Sequence, residues 1–192
     1  MAKVVGIDPG TKGALAMYDT DTKSLVGSIV DIPVWFQAVG KTQRRRIDLL
    51  ALADVFDTFD LIGADLVVME EVGVRPKEAA KSAFAFGYTV ALIYASAFYT
   101  GLPIDTVQPA VWKMQLNVPG KSRADATAIL HRADEMFPEH REQFRGPKGG
   151  KLVDRAEAAM IAKYGGDFLY LRHSVATDVE TKLGYKYANT GA

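Results

Sequence analysis

Four acidic residues stand at places in the chain where folding would gather them. Asp8 closes the β-branched run Val4-Val5-Gly6-Ile7 and precedes a Pro9-Gly10 turn. Glu70 closes the continuous apolar run Leu66-Val67-Val68-Met69. In open α/β sheets, ligands sit outside the carboxyl ends of the strands. If the two strands are parallel neighbours, both carboxylates converge on one edge. Asp154 and Glu157 are three residues apart in a helical stretch and so share a face. Four carboxylates from three elements would repel one another without a cation. Mg²⁺, with Mn²⁺ as its substitute, is the natural partner because both take oxygen ligands. Two such ions about 3.5–4 Å apart license phosphodiester hydrolysis, one activating water and the other stabilising the leaving oxygen. That chemistry needs no His, Ser or Cys nucleophile, and none is evident. Each acid also has a plainer reading: Asp8 as a turn former, Glu70 as a solvated strand end, and Asp154 as a charge favoured near a helix N-terminus. Their combination and order carry the case.

The composition narrows the classes that remain. The chain has 192 residues, with 23 Lys and Arg against 23 Asp and Glu, so its formal charge is zero. A hydrophobic content of 48% with 24% charged residues excludes a disordered chain, which lacks the apolar surface to offset its ordering entropy. The absence of cysteine rules out disulfides and thiolate metal sites. His131, His140 and His173 are too scattered to suggest a histidine-rich zinc site. No apolar run reaches the roughly 18 residues of a membrane span. Met1-Ala2-Lys3 leads into a strand-like run rather than a signal peptide, so a cytoplasmic protein with no membrane partner is expected.

The elements that must position the acids follow from periodicity. Val4–Asp8, Ala14–Tyr18 and Leu25–Ile32 read as an antiparallel meander, with Pro33–Thr42 as a loop before the basic triplet Arg44-Arg45-Arg46. Ile47–Ile62 has helical spacing of Leu49, Leu52, Phe56 and Phe59, with Asp48 at its positive end. Leu66–Met69 is the strand of a sheet buried on both faces. A helix from about Lys77 to Tyr99, a strand over Pro103–Val107, and helices over Pro109–Leu116, Arg123–Phe137 and Val153–Tyr164 complete the pattern, with a polar, basic loop over Pro138–Gly150. The expected fold is α/β, a mixed sheet flanked by helices. Residues 1–166 form one domain, and residues 167–192 are a tail whose structure the sequence does not indicate.

Three acidic motifs in this order resemble the RuvC-type Holliday-junction resolvases, and above all the RuvC-like nucleases of phages and prophages. They are Gly6-Ile7-Asp8-Pro9-Gly10, Val68-Met69-Glu70-Glu71-Val72 and Asp154-Arg155-Ala156-Glu157-Ala158. Ser82–Gly87, Val107–Lys113 and Gly120–Ala124 extend the likeness, which runs from about Lys3 to Tyr164. It implies an RNase H-like fold, a homodimer and cleavage of four-way junctions or other branched DNA with two Mg²⁺ ions per site. Motif by motif, the resemblance makes Asp8, Glu70, Asp154 and Glu157 the catalytic metal ligands, and Lys113 and Lys121 the lysines near the scissile phosphate. An ammonium there offsets charge developing on phosphorus. Glu70 matches better than Glu71, which strand alternation turns to the other side. Two departures stand out. The family usually ends its acidic set with Asp or sometimes His, where this chain has Glu157. Bacterial members carry a base-contacting aromatic residue where this chain has Val72-Gly73-Val74. A crossover junction endodeoxyribonuclease of bacterial or phage origin is the function implied.

Basic residues flank the acids unevenly. Lys113, Lys121 and Arg123 occur with no acid between Val107 and Arg123, and Arg141, Arg145, Lys148, Lys151 and Arg155 outweigh Glu142 and Asp154 further on. We read both stretches as phosphate-contacting edges, against a solvated charged surface. Arg44-Arg45-Arg46 is as well explained by a solvated face as by DNA. Trp112 reads as a core or hinge aromatic rather than a base-stacking platform, and Phe84, Phe86, Tyr88 and Tyr94 as helix core or dimer contact rather than DNA-stacking rings. Two other functions compete. One is an actin-like or sugar-kinase-like ATPase, whose fold also starts with a strand-Asp-x-Gly-Thr turn but needs a second glycine-rich phosphate turn that we do not find. The other is the shorter RuvX (YqgF-type) nuclease, which acts on RNA. A DNA-binding relative without activity is a further alternative, which retention of all four acids disfavours.

Overall fold

A computed structural model describes residues 2–73, 78–118 and 126–170. Strand β1 (Lys3–Asp8) pairs antiparallel with β2 (Ala14–Asp19), which also carries the short strands β3 (Ser24–Leu25) and β4 (Val30–Asp31). Strand β7 (Leu66–Glu70) lies on the other side of β1, parallel to it, and pairs in parallel with β8 (Ile104–Val107). The sheet order is therefore β3-β2-β1-β7-β8. This is the mixed sheet expected.

Alternation along the central strands builds two cores. Val5, Ile7, Leu15, Met17, Val67 and Met69 pack on one face, beneath helices α1 (Leu49–Leu61) and α2 (Ala80–Phe98). Val4, Ala16, Tyr18, Leu66 and Val68 pack on the other. Helices α3 (Pro109–Gln115), α4 (Ala126–Met136) and α5 (Val153–Tyr164) cover that second face. Trp112, Phe137 and Phe144 fill it, all fully buried. Asp48 caps α1, its side chain accepting a hydrogen bond from the Ala51 amide. No helix among the described residues is long and apolar enough to cross a membrane.

The structure differs from expectation in several places, one being Leu25–Ile32, which is not a single strand but the two short strands β3 and β4. The stretch read as a loop is a hairpin, β5 (Val34–Val39) paired with β6 (Thr42–Ile47), and the arginine triplet lies on its second strand. The Pro138–Gly150 loop begins with a 3₁₀ helix over Pro138–Phe144. After α5 the chain continues as a π turn, Gly165–Leu169, that still packs into the core through Leu169. Residues 171–192, most of the expected tail over 167–192, lie outside the described residues.

Candidate metal centre

Strand alternation aims the first two acids. Asp8 lies two residues beyond Gly6, and Glu70 two beyond Val68, so both project toward the α5 face. The β1–β7 register pairs Gly6 with Val68 and Ile7 with Met69, which sets Asp8 and Glu70 side by side at the carboxyl edge.

A close approach places the other two. A Cβ built on Gly6 would stand 2.1 Å from the Ala162 nitrogen and 2.4 Å from the Ala158 oxygen. Only glycine lets the β1 backbone rest directly on α5, against its alanine stripe. Gly165 repeats the device at the far end, where a Cβ would lie 2.7 Å from Val4 Cγ1 and 2.6 Å from Val68 Cγ2. Helix α5 thus runs antiparallel to β1. Asp154, one turn before Ala158, arrives beside Asp8, with Glu157 on the same face. Gly13 closes the turn below: a Cβ there would sit 2.0 Å from the Asp8 carbonyl oxygen.

Carboxylate oxygens of Asp8, Asp154 and Glu157 lie within 4.8 Å of one another. Asp8 is 8% exposed. Burial, together with repulsion from Glu157, Glu70 and Asp154, pushes its carboxyl well above the usual range. Glu70 stands beside this trio. Its Oε1 accepts a 2.9 Å hydrogen bond from Trp112 Nε1. Burial raises the Glu70 carboxyl, the Trp112 bond pulls it back down, and Glu157 and Lys113 act in opposite senses. Glu71, by contrast, is exposed.

Lys113 donates from Nζ to Glu157 Oε1 at 2.8 Å and lies 4.9 Å from the Trp112 ring centroid. Helix α3 therefore supplies two adjacent partners to the acids, an indole N–H for Glu70 and an ammonium for Glu157. The Trp112 bond was not foreseen, because a buried Trp reads as core. Its one signal was adjacency to Lys113, combined with the need of a buried indole N–H for an acceptor. Lys121 lies outside the described residues.

The donor set fits a hard divalent ion. It consists of oxygens only, and a span of 4.8 Å is close to the separation of about 4.2 Å between opposite ligands of an octahedral Mg²⁺. The raised carboxyls are those a cation would relieve.

Two of the basic residues expected at the phosphate edge are engaged elsewhere. Arg145 forms a two-pronged pair with Asp134, one prong at 2.8 Å. Arg155 holds Asp31 through two bonds of 2.6 and 2.8 Å, tying α5 to β4. Such pairs pin the scaffold.

No family model matches the sequence, and no curated protein matches it. Solved structures do. RuvC from Thermus thermophilus in complex with a Holliday junction substrate matches over 89% of this chain and 96% of its own, at 15% identity and a TM-score of 0.57. A second Thermus thermophilus RuvC structure matches over 85% and 95%, at 17% identity and a TM-score of 0.48. The fowlpox virus Holliday junction resolvase matches over 87% and 99%, at 15% identity and a TM-score of 0.47. The chain has the RNase H-like α/β fold, in the form found in RuvC-like resolvases.

Proposed function

We propose that this protein is a structure-selective DNA endonuclease that cleaves four-way junctions or other branched DNA by metal-dependent phosphodiester hydrolysis. The carrying observation is the meeting of Asp8, Asp154 and Glu157, with Glu70 alongside, on a fold shared with a resolvase solved on its junction.

Asp8, Asp154 and Glu157 hold the ion site, and Glu70 contributes from the neighbouring strand. A bound pair of Mg²⁺ ions would supply an acidified water and Lewis-acid stabilisation of the phosphoryl oxygens. The raised Asp8 carboxyl must lose its proton to act as a ligand, which couples occupancy to pH. Trp112 fixes the orientation of Glu70. Lys113 neutralises one acid of the cluster and sets a positive charge at the edge a phosphate would approach. Lys121 is proposed for the same role from the resemblance alone.

Two strands of a junction need two sites, which a two-fold dimer provides. Helix α2 supports that arrangement with an outward row of Phe84, Tyr88 and Phe98, exposed by 77%, 52% and 66%.

The test incubates the protein with synthetic four-way junctions, forks, duplexes and structured RNA in Mg²⁺ or Mn²⁺. Cutting near the branch point is expected, and Asp8→Asn abolishes it by several decades of rate. Failure to cut any branched DNA with either metal refutes the reading, and cutting of RNA alone favours the RuvX-type alternative.

A further inference from the structure

The β5–β6 hairpin is left unused by the site above. It spans Val34–Ile47 and contains Lys41, Arg44, Arg45 and Arg46 with no acid, in a chain whose net charge is zero. Among the described residues, none of these four cations forms an ion pair. Arg45 lies 5.9 Å from the Phe36 ring centroid and donates to the Thr11 carbonyl at 3.2 Å, and Arg46 donates to Gln37 at 2.9 Å. Both strands are largely exposed, and the apolar side chains they show to solvent are large: Trp35 at 47% and Phe36 at 56%.

A sheet that is merely solvated has no reason to expose these rings. Registry sorts them: Trp35 opposes Arg46, Phe36 opposes Arg45 and Gln37 opposes Arg44. Cross-strand partners share a face, so each face of the ribbon carries an aromatic ring beside a guanidinium. A ring offers a stacking surface for an unstacked base, and a guanidinium neutralises the neighbouring phosphate. The Arg45–Thr11 bond ties this ribbon to the turn that follows Asp8. A strand gripped by the hairpin is thereby led toward the acidic cluster.

We propose that the β5–β6 hairpin is a DNA-holding arm, with Lys41 and Arg44 on backbone phosphates and Trp35 and Phe36 against bases unstacked at the branch. This inference deepens the nuclease reading and rests on it for the identity of the nucleic acid. Its partner is a strand with exposed bases, and a paired duplex engages only the cations.

Fluorescence anisotropy of a labelled four-way junction and a matched duplex, in Ca²⁺ across a salt series, tests it. The double variant Lys41→Gln/Arg44→Gln should weaken both ligands about tenfold or more. It should also lower the slope of log affinity against log salt by about 1 to 2, since each lost phosphate contact accounts for about 0.9. Arg44→Lys should keep the slope. Trp35→Ala/Phe36→Ala should weaken the junction about tenfold or more and leave the duplex and the slope near wild type, as expected for lost stacking. Both double variants should melt within a few degrees of wild type, because the substituted side chains are exposed. Wild-type affinity and slope in the folded charge variant would overturn the arm. So would equal loss on duplex and junction in the aromatic variant. If the wild type cuts no branched DNA yet the salt slope falls as stated, the arm stands and the nuclease reading fails. If the wild type cuts and both variants bind normally, the arm alone fails.

Discussion

Crowding acids without a cation costs the fold stability, and Asp8→Asn should return part of that cost. The three oxygens of the cluster lie within 4.8 Å of one another. At that separation, two full charges in an effective dielectric near 20 repel by roughly 3.5 kcal/mol. Protonation of Asp8 caps what the native state bears, and Lys113 offsets part of the charge on Glu157. A net gain of about 1–3 kcal/mol for the neutral amide follows. For a chain of this length that is a rise in Tm of about 3–10 °C. The direction with pH is fixed by the raised Asp8 carboxyl. Its contribution to stability is complete below the ordinary carboxylate pKa and is lost as pH rises through the folded-state value. The wild type therefore falls away from the variant with rising pH: the two melt together near pH 4 and diverge most near pH 8. Differential scanning calorimetry in EDTA at both pH values reads this. Mg²⁺ should then raise the wild type and narrow the gap, while the variant, lacking a ligand, responds less. A variant that melts at or below the wild type at pH 8 in EDTA would refute the reasoning.

Two further substitutions probe the supports. Gly6→Ala drives a methyl into the backbone of α5 at Ala158 and Ala162. It should cost about 3 kcal/mol, read as a lower urea midpoint, and should abolish divalent-ion binding because Asp154 and Glu157 move with the helix. Trp112→Phe keeps the ring but deletes the N–H that Glu70 accepts. The Glu70 carboxyl should rise further, so divalent-ion binding measured by titration weakens about tenfold and its pH dependence shifts upward.

Much of the architecture was legible because burial leaves a period. Helix α5 was placed residue for residue, since Val153–Tyr164 sits between a glycine-rich loop and a glycine pair. The strands bearing Asp8 and Glu70 were clear as short apolar runs ending in an acid. The β5–β6 hairpin was not, because it is exposed on both faces and so carries no alternation of apolar and polar residues. Its one available signal was the Gly40-Lys41 pair between two strand-like runs, with Gly40 at φ 60°. At the site, residue types and spacing suggested the four acids. The close approach of Gly6 to α5, which gathers three of them, shows only in three dimensions. Arg145 and Arg155 read as phosphate contacts because sequence shows charge but not pairing; Asp134 and Asp31 claim them.

Anomalous scattering from crystals soaked in Mn²⁺ tests the central claim most directly. A manganese peak within bonding distance of Asp8 and of at least one carboxylate on α5 is the predicted result. A Mn²⁺-saturated crystal whose peaks all lie away from Asp8 would contradict the account.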